Sequence, residues 1–322
     1  MRRLTYFVFT VLMLLSSVNL HAEVHPIKIL SPQDYSLHRE TTVNIVVKVI
    51  PGRVDELKII TSIEEKSVKI GKTATMNCKN ILLRLGENRV TVRAYNKGKM
   101  VGEQIARMYV ASDIFYQFRY PPIQYKQTFF HTDKNEALCK KCHNMTSNEI
   151  KNVAFIDVTE SNCYTCHSHI TKDKFGHAPA VNWLCGACHN GKAGVENMQN
   201  QGRSKYLAAQ PVDQECFKCH KSNYKRWSGY RYRHEPLDSG NCNKCHNPHS
   251  SPYSKFVRKP VDEICLGCHK DKHIKARELH NSACAGGIEK DKNCVDCHNP
   301  HASNRPFFLR DKDDQRDKKE RR

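Results

Sequence analysis

The chain is short of the residues that build an ordinary interior. Only 39% of its 322 residues are hydrophobic, two are tryptophan, and bulky aliphatic and aromatic side chains thin out after about residue 130. A side-chain core of normal size is excluded from that second half, so something else must fill it. Long apolar runs are lacking too. The longest, from about Leu4 to Leu15, falls short of the roughly 18 residues that cross a bilayer. Methionine is scarce: Met145 and Met198 are the only two beyond residue 130. Acidic residues are outnumbered, 33 against 52 Lys plus Arg, for a formal charge of +19.

The leading residues resolve part of this. Arg2 and Arg3 precede the apolar run, and Ser16, Ser17 and Ala22 supply small residues near a cleavage site. Residues 1–22 read as a signal peptide, with an uncleaved anchor as the alternative because Leu20 is a poor fit three places before the cut. No cysteine lies near the cut, so a lipid-anchored mature end is not expected. The mature chain is expected to have no membrane span and to lie in the periplasm or on the outer surface. In that compartment a basic charge does not point to nucleic acid.

What the chain has in excess is cysteine, 16 residues, and histidine, 18. Fourteen of the cysteines fall into seven C-x-x-C-H units: Cys139/Cys142/His143, Cys163/Cys166/His167, Cys185/Cys188/His189, Cys216/Cys219/His220, Cys242/Cys245/His246, Cys265/Cys268/His269 and Cys294/Cys297/His298. Structural zinc sites use C-x-x-C pairs but do not require a histidine directly after each pair, and a disulfide scaffold does not either. Two thiols three positions apart can add to the two vinyl groups of one haem, and the next histidine then becomes the proximal iron ligand. Seven covalent haems are therefore expected. The two intervening residues differ in every unit and read as unconstrained.

Seven histidines are thereby used. His21, His25 and His38 lie before this region. Eight remain as candidates for the sixth ligand: His131, His169, His177, His234, His249, His273, His280 and His301. Their placement tracks the motifs. His131, His177 and His234 each precede a motif by eight positions, and His280 leads the last motif by fourteen. His169, His249, His273 and His301 follow a motif closely. With so little methionine, most irons are expected to be bis-histidine, which favours low potentials and leaves no open position for a substrate. A histidine two or three places past a proximal ligand cannot easily reach the far face of the same haem. His169, His249 and His301 are thus expected to serve neighbouring haems.

First cysteines recur at intervals of 24, 22, 31, 26, 23 and 29 residues. A larger period consists of a leading histidine and two motifs. It starts at His131, His177 and His234, with a half copy at His280. The stretch HEPLDSGNCNKCHNPHSSPYSKFVRKPVDEICLGCH, from His234 to His269, resembles the doubled-CXXCH motif of multihaem cytochromes c. NCVDCHNPHASNRPFF, from Asn293 to Phe308, resembles it again. The resemblance covers roughly residues 131–308 and implies haem binding and electron transport.

Residues 23–112 read differently. Short alternating runs at Ile27–Leu30, Val43–Ile50, Leu57–Ser62, Ser67–Ile70, Ile81–Leu85, Arg89–Tyr95 and Gln104–Val110 predict strands. Turn signals separate them, among them Gly86-Glu87-Asn88 and Asn96-Lys97-Gly98. The fold class expected is a multidomain chain. An all-β sandwich comes first, then a mostly irregular, short-helical seven-haem domain at 131–308. The segment LGENRVTVRAYNKGKMVGEQIARMYV resembles the closing strands of bacterial immunoglobulin-like domains. Residues 113–130 read as an aromatic connector and 309–322 as a charged disordered tail.

Cys78 and Cys284 are left over, either bridged across the two domains or as two thiols. The leading functional reading is an electron-transfer protein with no catalytic residues. Its partners would be redox proteins, acidic ones favoured by the basic surface, or an extracellular acceptor. A multihaem reductase with one open iron, at His143 or His220, is the alternative. So is an assembly component that docks or self-associates through the sandwich.

Overall fold

The computed structural model describes residues 25–140, 143–145, 158–189, 206–269 and 294–310. The expected signal peptide, residues 311–322 of the tail, and Cys142, His273, His280 and Cys284 lie outside the described residues.

The alternation in the first part produces two packed sheets. One has three strands in the order β1 (Ile27–Ser31), β3 (Thr42–Val49), β6 (Met76–Leu82). The other has six, in the order β5 (Glu65–Lys69), β4 (Glu56–Ile60), β7 (Gly86–Asn96), β8 (Lys99–Val110), β2 (Ser36–His38), β9 (Lys126–Gln127). All pairings are antiparallel except those of β2 with β8 and β9. Along β7, Val90, Val92 and Ala94 point inward while Arg89, Thr91 and Arg93 point out. Ile45, Val47 and Val49 of β3 and Leu57 and Ile59 of β4 complete the core between the sheets. Each such side chain, fully buried, contributes about 1.5–3 kcal/mol.

Turn chemistry fixes the register. Lys97 and Gly98, at φ 50° and 77°, join β7 to β8, the two-residue connection that suits the strand twist. Gly86-Glu87-Asn88, expected as a turn, instead opens β7. Gly86 is left-handed at φ 86°, and Asn88 ties the chain by donating to the carbonyls of Gly86 and Arg84. Two strands are not among the predicted runs. β2 and β9 are three and two residues long, too short to show alternation, and β9 lies in the connector. Tyr125 beside it is buried against Tyr35 and Tyr109, with ring centres 5.5 Å apart in each pair. The connector is thereby laid onto the sandwich.

From residue 131 onward the chain is irregular, with short helices such as Asp133–Cys139, Tyr164–His167 and Lys221–Ser228. Only three apolar side chains there are buried among the described residues, Trp183, Val212 and Ala302. A continuous cavity of about 4130 Å³ takes the place of a core. It is several-fold larger than the roughly 300–1,000 Å³ of an ordinary ligand pocket.

The outer face of the three-stranded sheet forms one wall of this cavity, through Asn44, Val46 and Cys78. Ile45 and Val47 face the core, so Val46 between them faces the other way, yet only 8% of it is exposed. The two parts meet elsewhere as well. Arg258 pairs with Glu40 at 3.0 Å. A Cβ on Gly267 would lie 2.3 Å from the Ile114 carbonyl of the connector. Gly267 sits between Cys265 and Cys268, so in that motif the intervening residues are constrained after all: only a glycine lets the turn approach the backbone so closely.

Candidate haem-binding site

Each motif closes on itself. The N–H of the motif histidine donates to the carbonyl of the first cysteine in His143, His167, His189, His220, His246 and His298, at 2.8–3.0 Å. The five residues of each of these motifs therefore close one helical turn, first cysteine to histidine. His269 lies in the helical segment that includes residues 261–269. Every described motif cysteine lines the cavity together with its motif histidine.

The motifs run in chain order through the cavity. The thiols of Cys163 and Cys185 are hydrogen-bonded, as are those of Cys216 and Cys242 and of Cys265 and Cys294. Cys188 lies near Cys219, and Cys245 near Cys265 and Cys268. Cys78 reaches from β6 to the Cys166 thiol and is itself a free thiol.

Histidines meet in pairs. Ring centres are 6.1 Å apart for His131 and His167, 6.3 Å for His177 and His220, and 6.0 Å for His189 and His249. They are 6.1 Å apart for His234 and His269 and 6.0 Å for His246 and His301. In four of the pairs the ring planes lie within 9–22° of parallel, and in the first at 31°. His169 lies 6.4 Å from His167.

The opposite ring nitrogens are anchored. Nδ1 of His177 donates to the Pro248 carbonyl at 2.8 Å, that of His189 to Tyr206, that of His246 to Lys255 at 2.8 Å and that of His298 to Phe307 at 2.7 Å. His234 is bonded in the same way to Pro300. A carbonyl only accepts, so Nδ1 carries the proton and Nε2 keeps its lone pair for a metal. His131 differs: its Nδ1 meets a carboxylate oxygen of the buried Glu136, at 3.2 Å. Thr132 caps the helix that carries Glu136 and Cys139, accepting from Asn135 N–H. Burial pushes His167, His249 and His301 down to about 4 and lowers His169, His234 and His246. The neutral imidazole that metal ligation needs is thus the stable form near pH 7.

A repeated local structure holds these rings. Strands Phe175–Gly176 (β10) and Ser250–Ser251 (β12) pair antiparallel, as do Tyr232–Arg233 (β11) and Ala302–Ser303 (β13). The N–H of His177 donates to the His249 carbonyl, and that of His234 to the His301 carbonyl, both at 2.9 Å. Ser251 Oγ donates to the Val257 carbonyl and Ser303 Oγ to that of Leu309. Phe256 and Phe308, both left-handed, pack 5.3 Å from His177 and His234. Sequence reasoning missed Glu136, the carbonyl anchors and Trp227, which stacks on His301 at 4.3 Å. Nothing in their local sequence marks them.

A family model described as the doubled CXXCH motif matches residues 234–274 and 287–317. The chain is a multihaem c-type cytochrome, with haem bound covalently through its CXXCH motifs. It is 24% identical over 159 residues to the multiheme cytochrome MtrA of Shewanella baltica strain OS185. That match covers 44% of this chain and 46% of the relative, so the chain spans about half of that protein's length. Among solved structures, fibronectin(III)-like modules of Clostridium thermocellum CbhA match 26% of this chain and 93% of theirs, at 17% identity and a TM-score of 0.21. An engineered protein matches 26% of this chain and 20% of its own, at 13% identity and 0.23. These scores assign no family to the sandwich. Among the described residues no helix is long and apolar enough to cross a membrane.

Proposed function

We propose that this protein is an exported electron carrier in which seven haems, attached at the seven motifs and mostly bis-histidine, pass electrons in a row between redox partners. The observation that carries this reading is the spacing of the five histidine pairs. Two metal–nitrogen bonds of about 2 Å on opposite sides of one iron set the imidazole centres roughly 6 Å apart. The pairs lie at 6.0–6.3 Å, and the anchored Nδ1 atoms free Nε2 for that purpose. When bound, haem supplies a one-electron iron couple.

The residues do the rest. Two imidazoles per site exclude substrate from the metal, which favours electron transfer over catalysis. Histidine in place of methionine keeps potentials low. The cysteine contacts between successive motifs bring consecutive sites next to one another, as a row requires. Lys and Arg outnumber Asp and Glu by 52 to 33, which suits acidic partners and salt-sensitive association.

The test is a haem count by pyridine haemochrome together with electron paramagnetic resonance of the oxidised protein. Seven haems with low-spin signals are expected. A count well below seven, or mostly high-spin iron, overturns the reading, and a single high-spin iron redirects it toward a reductase.

A further inference from the structure

We infer that the sixth ligands follow one offset rule that locks each two-motif unit to the next; the inference rests on the bis-histidine reading above. A unit is a leading histidine and the two motifs after it. In three units the leading histidine faces the proximal histidine of its own second motif: His131 with His167, His177 with His220, His234 with His269. A histidine three places after a motif histidine reaches back to the first motif of the preceding unit. His249 faces His189, and His301 faces His246.

The two ladders produce this offset. β10 leads into His177 and pairs with β12, which follows His249; β11 leads into His234 and pairs with β13, which follows His301. Each ladder therefore places the leading histidine of one unit beside the trailing histidine of the next. The His177 N–H bond to His249 and the His234 N–H bond to His301 join two ligands that belong to different irons. A unit's first site is completed only by the chain of the unit after it.

The rule also identifies where it ends. The first motif would need a histidine three places after His189, and that position is Lys192. His280 leads a half unit with no second motif to serve. The rule places no sixth ligand opposite His143 or His298, and it leaves His169, His273 and His280 unassigned. Eight candidates for seven irons divide as five ligands placed by the rule and three left over.

Paired substitutions in the full holoprotein test this. His189→Ala and His249→Ala each add one high-spin haem per chain, read by paramagnetic resonance with all seven haems retained. The double variant H189A/H249A adds one, because both changes strike the same iron. H189A/H301A adds two and serves as the control. Two high-spin haems in H189A/H249A overturn the pairing while leaving bis-histidine ligation intact. No high-spin haem in H249A alone overturns the ligation reading at that site. His249→Gly supplemented with imidazole guards against misfolding: return of the low-spin signal supports the assignment, and imidazole insensitivity in a protein retaining all its haems counts against it.

Discussion

The two parts of this chain solve the same problem by opposite means. Residues 27–110 bury Ile45, Val47, Leu57, Ile59, Val90 and Val92 between two sheets, and their order follows from side-chain packing alone. Beyond residue 131, only Trp183, Val212 and Ala302 are buried apolar side chains among the described residues, around a cavity of about 4130 Å³. Backbone bonds of single turns and ring nitrogens tied to carbonyls hold that part in place. The contrast teaches that one chain can carry a fold specified by its own side chains beside one specified by what it encloses.

The strongest way to break the comparison is to withhold the cofactor. Made without haem attachment, residues 131–310 are expected to lose their helices and become protease-sensitive, while residues 25–112 keep their strands. Limited proteolysis with mass spectrometry reads both, and protection of the whole chain would remove the distinction. A smaller effect probes the seam. Gly267→Ala forces a Cβ against the Ile114 carbonyl and is expected to cost about 1–3 kcal/mol. Chemical denaturation measured both by haem absorbance and by far-ultraviolet circular dichroism should show it in both transitions; a shift confined to one would mean that the two parts do not share the contact.

The smallest effect belongs to the sandwich. Burial pushes His38 from 6.5 down to about 4, with its Nε2 against the buried Ser36 hydroxyl at 2.8 Å. A lowered pKa means that the fold favours the neutral ring. The stabilisation is complete above pH 6.5 and is lost as the pH falls from 6.5 to about 4. Because the residue is only half-buried, about 1–2 kcal/mol is expected. Hydrogen exchange of the β2 and β8 amides should follow that profile, and His38→Gln should flatten it.

How much of this could be read in the sequence depends on how local each feature is. Haem attachment needs five contiguous residues, so the motifs stand out. Long strands such as β7 show themselves by alternation. β2 and β9 do not, because two or three residues carry no period and β2 pairs with β8 and β9, both far along the chain. The eight candidate histidines could be named, and the need for His249 and His301 to serve other haems could be argued from reach. Which ring faces which could not, since that depends on ladders between residues about 70 positions apart. The cavity wall was hidden for another reason: Val46 reads as one more apolar residue of a strand, and only its parity assigns it to the outer face.

The bonds between His177 and His249 and between His234 and His301 have a kinetic meaning. On the proposed ligation, an imidazole joined by its own backbone to the ligand of the adjacent site would not tilt independently, and rings held this way would change position little when the charge between them changes. The nuclear rearrangement that accompanies each electron's arrival and departure would then be kept small by a pair of peptide hydrogen bonds.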